Sequence, residues 1–306
     1  MIRSLQYFAF QVPDPVVGQA FYEDFGLIGE ARGNVALLRC KGRDQDQIKL
    51  LDGAKKKRLF NIGFGVGADE IAAMAQRLEA SGVRLTDPPY DGAGEGLWFH
   101  DPDGVMVHLA VADDVPARPE PEFLANTRGH NNRLNERGCA EEVTRARPRR
   151  LGHMLLFTPD VPAKVAFYTD ILGMHVSDTM GGDVVAFMRA GNGGDHHMIA
   201  LAKSEQSGFH HGSFEFGTVD DIGVASAYMV DKGHKHNWGF GRHVVGSNYF
   251  HYFRDPWGSL IEHFADIDVI DEDQDWTPKD WELEGNFCRW ASDGPPPEDF
   301  LVNADA

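Results

Sequence analysis

The sequence predicts an α+β protein of two tandem copies of one domain, each copy made of two βαβββ modules that form a cupped mixed sheet. Three repeated features carry this. Residues 5–14, LQYFAFQVPD, align without a gap on residues 151–160, LGHMLLFTPD. Seven residues beyond each Asp stands a Phe-Tyr pair, Phe21-Tyr22 and Phe167-Tyr168, followed by Gly26 and Gly173 where a helix should end. Asp101-Pro102-Asp103-Gly104 recurs as Asp255-Pro256-Trp257-Gly258, with Pro and Gly placed as in a type I turn.

Taken in order, Leu5 to Val12 reads as a strand, Val16 to Phe25 as a helix, and Val35 to Leu51 as a pair of strands. Phe60 to Val66 is a further strand and Asp69 to Ser81 a helix, its apolar residues Ile71, Met74, Ala75 and Leu78 recurring at helical spacing. Gly96 to Val111 then forms a hairpin around the first DPDG turn. The second copy repeats this from Leu151 to Ala265, with helices near Val161 to Ile171 and Asp221 to Lys232. Tyr249 to Arg254 and Ser259 to Phe264 are expected to pair across the DPWG turn. Tyr252 and Glu262 then share one face if the register permits.

These elements divide the chain into an N-terminal domain at 1–115, a connection at 116–150, a C-terminal domain at 151–265 and a tail at 266–306. The connection carries Pro116, Pro119 and Pro121, a short helix expected near Glu120 to Asn126, and Arg145, Arg147, Arg149 and Arg150. These arginines are expected to pair with acidic surface. The tail contains Trp276, Trp281 and Trp290, too much apolar surface to stay free, so it should pack on the second copy and is a candidate lid.

A formal charge of −18 argues against nucleic acid and anionic membrane as partners. Three scattered cysteines without CxxC spacing exclude a disulfide framework and fit a reducing cytoplasm. Neither a signal-peptide pattern nor a spanning apolar run is present, and the expected location is cytoplasmic.

Aligning the copies exposes a chemical difference. His153 stands where the first copy has Tyr7, His211 where it has Asn61, and Glu262 where it has His108. Two imidazoles and one carboxylate form the facial triad of non-haem Fe(II) oxygen chemistry, with open positions for an organic chelate and O2. The doublets His196-His197 and His210-His211 stay ambiguous, since neighbours on a strand point oppositely. The alignment favours the later member of each.

The second copy resembles the type I extradiol catechol dioxygenases of the vicinal-oxygen-chelate superfamily. The matching motifs are GHMLLF at His153, FHHGSFEF at His211, GRH at His243 and YFHYFRDPWGSLIEH from Tyr249 to His263, with His243 nine residues before Tyr252 and Tyr252 ten before Glu262. The resemblance implies two tandem vicinal-oxygen-chelate domains and a metal, Fe(II) or in some members Mn(II), on His153, His211 and Glu262, with no organic cofactor. It implies His197 as the distal acid-base residue beside the O2 position, and His243 and Tyr252 as the pair that binds and helps deprotonate a catechol. The implied reaction inserts both atoms of O2 and gives a muconic semialdehyde. A homo-oligomer is expected.

For specificity, Arg242 and Arg289 are candidates for binding a substrate carboxylate, and Phe187, Met188, Trp238 and Phe250 for an apolar pocket. His100, His130, His175, His234, His236, His251 and His263 carry no assigned role. Two other functions use the same fold: a glyoxalase-like metal lyase or transferase, and a protein that merely sequesters an aromatic ligand. Which catechol is taken, and on which side of its hydroxyls it is cut, stay open.

Overall fold

The computed structural model describes residues 1–112, 124–139, 144–272 and 275–305. In the N-terminal copy β1 (Ile2–Val12), α1 (Pro15–Phe25), β2 (Ile28–Arg32), β3 (Val35–Arg39) and β4 (Ile48–Asp52) form one βαβββ module. β5 (Arg58–Val66), α2 (Ile71–Ala80), β6 (Leu97–His100) and β7 (Met106–Val111) form a second that lacks a strand after its helix. All that marks the missing strand is an isolated bridge between Thr86 and Trp98. The C-terminal copy begins with β8 (Arg150–Thr158), then α3 (Val161–Ala166) running into a π turn at Phe167–Ile171, β9 (His175–Met180), β10 (Val185–Arg189), β11 (Gly194–Asp195) and β12 (Ile199–Lys203). Its second half is β13 (Gly208–Glu215), α4 (Val219–Asp231), β14 (His236–Arg242), β15 (Tyr249–Arg254) and β16 (Leu260–Ala265). The tail adds β17 (Val269–Ile270), β18 (Asp280–Trp281) and β19 (Trp290–Ala291).

The first sheet runs β2-β3-β4-β1-β5-β7-β6 and the second β18-β9-β10-β12-β8-β13-β16-β15-β14-β19, so the copies share one strand order and the tail adds a strand at each edge of the second. The predicted α+β class and tandem plan are therefore present. β2, absent from the sequence reading, is a half-exposed edge strand, and its IGEAR pattern carries little apolar signal. Of the helix expected near Glu120 to Asn126, residues 120–123 lie outside the described residues and 124–126 are irregular.

The repeated motifs have specific work to do. Asp14 and Asp160 cap α1 and α3, accepting from the Val16 and Ala163 amides at 2.9 and 3.0 Å. Gly26 and Gly173 end those helices at φ 127° and 76°, where a side chain would be strained. In both turns the Asp Oδ1 accepts two backbone amides, from Trp257 and Ser259 onto Asp255 and from Asp103 and Val105 onto Asp101. The tyrosines then cross between copies: Tyr22 donates to Asp255 at 3.3 Å, and Tyr168 to Asp101 at 3.4 Å. Each helix thus clamps the turn of the other domain.

The copies also share one core. Phe8 and Phe10 of β1 pack on Phe209 of β13 at ring separations of 4.8 and 4.7 Å. In the arginine run, Arg150 pairs with the carboxylates of Asp195 and Glu215 as expected, whereas Arg145 donates to the Glu23 and Asp24 carbonyls and Arg147 to that of Gly26. Those carbonyls close α1, where cations complement the helix dipole. Among the described residues no helix is long and apolar enough to cross a membrane.

Candidate active site

Strand register builds the site. Across adjacent strands of the second sheet, His153 of β8 faces Ser213 of β13, Ser213 faces Glu262 of β16, Glu262 faces Tyr252 of β15, and Tyr252 faces Trp238 of β14. His211 lies two residues from Ser213 and so shares its face. His153 Nε2 is 3.1 Å and His211 Nε2 3.4 Å from Glu262 Oε2. One ligand atom from each of the three buried residues falls within 4.8 Å of the others, the only such group of three among the described residues.

The donor set suits a divalent cation. Burial opposes the charge on Glu262, yet His153, His243 and Ser213 hold its carboxyl below the usual value. Ser213 Oγ donates to Oε2, and Asn248 Nδ2 to Oε1 at 3.2 Å. His210 fixes the tautomer of His211. Its Nε2 donates to the Phe300 carbonyl at 2.6 Å, so its Nδ1, 2.6 Å from His211 Nδ1, accepts. That leaves a lone pair on His211 Nε2, as a metal requires. Burial, then the neighbouring histidines, push the proton affinity of His211 well down.

The first copy shows the contrasting arrangement. Tyr7, Gly63, His108 and Trp98 occupy the equivalent row, and Tyr7 Oη lies 2.9 Å from both His108 Nδ1 and Asn61 Nδ2. His108 Nε2 lies 2.9 Å from the Glu95 carbonyl, and Trp98 stacks on its ring at 4.0 Å. Every nitrogen of His108 is engaged, so this triad closes on itself.

Around the second site, His243 Nδ1 donates to the Phe287 carbonyl at 2.6 Å, and Tyr252 Oη donates to His243 Nε2 at 2.9 Å. Burial lowers the proton affinity of His243 against the pull of Glu262, and burial followed by the same carboxylate raises the Tyr252 phenol well above 10. His197 lies with its ring 4.3 Å from that of His153 and faces the same cavity. Burial, then the surrounding histidines, depress its proton affinity well below the ordinary value.

Alternation makes the cavity wall. On β8 and β12 Leu155, Ala200 and Ala202 face the cavity, while Met154, Leu156, Ile199 and Leu201 face the shared core. Val185 and Phe187 of β10, with Met180 and Val245, complete the apolar lining, and the tail contributes Asn286, Phe287, Phe300 and Leu301.

Three of the expected pocket residues are therefore misplaced. Met188 points into the core beside Phe187 because neighbours alternate. Trp238 stacks behind Tyr252 with planes 8° apart, and Phe250 stacks on His243 at 4.1 Å. Both back catalytic candidates without lining the cavity. Arg242 pairs with Asp266 at 2.9 Å, and with exposed Arg289 it lines an adjoining surface hollow that shares His243 and Asn286 with the cavity. Ser213, Asn248, His196, His210 and Asp178 were missed. The first is two residues from His211, and the doublets flagged both earlier histidines; only the fold brings in Asn248 and Asp178. Of the histidines left without a role, His263 is buried behind the sheet, 3.1 Å from Ser226 Oγ.

A family model described as Glyoxalase/Bleomycin resistance protein/Dioxygenase superfamily matches residues 150–263. The chain is 37% identical to Metapyrocatechase 2 of Cupriavidus necator, over 100% of this chain and 93% of that protein. It is 25% identical to an iron-dependent extradiol dioxygenase of Rhodococcus jostii, covering 91% of this chain and 94% of the relative. Among solved structures, the Mn(II)-bound glyoxalase from Novosphingobium aromaticivorans superposes with a TM-score of 0.79 at 26% identity, covering 98% of this chain and 94% of its own.

Proposed function

Because the chain belongs to the extradiol dioxygenase family within the glyoxalase and dioxygenase superfamily, we propose that it cleaves a catechol ring with O2 at the His153, His211 and Glu262 centre. The observation that carries this is the convergence of one ligand atom each from His153, His211 and Glu262 beside His197, His243 and Tyr252, which line one apolar cavity. His153, His211 and Glu262 would hold Fe(II), with Mn(II) the alternative. Such an ion, when bound, lowers the pKa of catechol hydroxyls and brings substrate and O2 together.

The protein groups divide the proton work. His243 is neutral and carries its hydrogen on Nδ1, so Nε2 can take a proton from a catechol hydroxyl in place of the hydrogen bond it accepts from Tyr252. The cation so formed is held by the Phe287 carbonyl and by Glu262, whose Oε1 lies 3.8 Å from Nε2. Tyr252, with its phenol strongly disposed to keep its hydrogen, then donates to the catecholate oxygen. His197 serves the opposite side of the centre as acid and base. The apolar walls and the tail exclude water.

No Arg or Lys lines this cavity among the described residues. An acidic substituent would be buried there without a partner, so uncharged alkyl- or aryl-substituted catechols are the preferred class. The test is anaerobic reconstitution with Fe(II) or Mn(II), then mixing with air and a catechol panel while recording O2 uptake and visible absorbance. Equimolar O2 uptake with a yellow product is expected, fastest on apolar catechols. The likeness to a glyoxalase favours a second reading, a metal lyase that needs no O2. Bound metal without O2 uptake on any catechol would turn the assignment to this lyase or to a protein that sequesters an aromatic ligand.

A further inference from the structure

His196 has no part in the chemistry described so far, yet it is fully buried and sits between His197 and a carboxylate. Its Nδ1 lies 3.1 Å from His197 Nδ1 and its Nε2 3.3 Å from Asp178 Oδ2. Asp178 also accepts the Lys279 amide at 2.7 Å and the Trp281 indole at 3.0 Å. Both can only donate, so Asp178 meets its neighbours as an acceptor. Although burial opposes its charge, its three partners hold the carboxyl below the usual value. The His196 and Trp276 rings meet edge to face with centroids 5.7 Å apart.

We propose that His196 is a positioning residue that, anchored by Asp178, holds His197 in the tautomer with hydrogen on Nδ1 and a lone pair on Nε2. An acceptor at Asp178 places the His196 hydrogen on Nε2. Its Nδ1 then offers only a lone pair, which the Nδ1–H of His197 fills. What His197 presents to the cavity is a proton acceptor with a fixed ring orientation.

The wiring matches that of His210 and His211, with one difference at its end. The metal-ligand candidate is backed by the neutral Phe300 carbonyl, whereas the acid-base candidate is backed by a carboxylate. A carboxylate is a stronger acceptor than a carbonyl, so it holds the His196 hydrogen on Nε2 more firmly. The tail supplies the parts that fix Asp178, so Trp276, Lys279 and Trp281 serve the active site without reaching the cavity.

This inference rests on the proposed acid-base role of His197, but its first test does not. In protein labelled with 15N in its histidine rings and loaded with diamagnetic Zn(II), with His197→Phe for assignment, His197 Nε2 should show a pyridine-like shift and Nδ1 a pyrrole-like one. A pyrrole-like Nε2 would sink the idea without any variant of His196 having to fold. In the Fe(II) enzyme, His196→Leu and Asp178→Leu should each lower kcat by about tenfold or more, at unchanged metal content and catechol KM. In the His197→Phe background, His196→Leu should cost less than about twofold further, because residues acting as a unit are non-additive. Equal losses in both backgrounds would overturn the relay. Absence of O2 uptake on every catechol would overturn the dioxygenase reading instead, leaving the tautomer spectrum to decide this one.

Discussion

At the scale of single residues, the site is defined by which nitrogen of each histidine carries hydrogen. Main-chain carbonyls at Phe287 and Phe300 set this for His243 and for the His210-His211 pair, so the tail writes part of the active-site chemistry through its backbone. His153→Ala or Glu262→Ala should abolish retention of the metal, measured as metal per chain after gel filtration; full occupancy in either variant removes that residue from the ligand set. Ser213→Ala and Asn248→Ala should each weaken metal binding by roughly tenfold, read by chelator competition, since both orient the Glu262 carboxylate. His197→Phe should keep metal and catechol binding and slow turnover by about 10²-fold, and an unchanged rate moves the acid-base work elsewhere.

At the scale of elements, the tail is structural as well as catalytic. It does not hang over the mouth as a detached lid: β18 and β19 extend the sheet at β9 and β14, and the last residues return to the first copy. Asp305 accepts from the Phe209 amide at 3.0 Å and pairs with Lys57 at 2.7 Å, both side chains being almost wholly buried. Breaking a buried pair from one side leaves an uncompensated charge. Lys57→Met should therefore cost roughly 3–5 kcal/mol in denaturant unfolding, and adding Asp305→Asn, which keeps an acceptor but no charge, should recover much of it. If the single and double variants are equally destabilised, the pair is not what joins tail to first copy.

At the scale of the molecule, two domains that share a core and clamp each other's turns should unfold together, and acid should be the weak side of their stability. His251 is held at about 4, first by burial and then by His236, against the favourable pull of Asp293. Unfolded, it would titrate near 6.5. The unfolded chain therefore binds the extra proton between these values, so the contribution is complete above about pH 6.5 and is lost as pH falls towards 4. A shift of this size corresponds to about 3 kcal/mol at most. Melting temperature should drop over that window in the wild type and drop less in His251→Asn. Equal slopes would place the acid sensitivity in other groups.

Duplication, the glycines that end the first helix of each copy and the turns were legible, and the six-residue constellation could be named, because each rests on local chemistry. A glycine where a helix should end, or a histidine where the other copy has tyrosine, needs no neighbour to be noticed.

The sequence alone misjudged whatever depends on which strands lie side by side. It sent Trp238, Phe250 and Met188 into the pocket, because a residue near a motif in the chain is not thereby near it in space. It also separated the histidine doublets by strand alternation. In the fold, His196 and His197 lie outside any strand and a bulge falls between Phe209 and His211, so both members of each pair stay in contact. Composition and spacing thus determined the fold class and the kind of chemistry. Register, irregular backbone and the return of the tail decided which atoms face the cavity, since hydrogen-bond direction and burial are properties of neighbours and not of residue types.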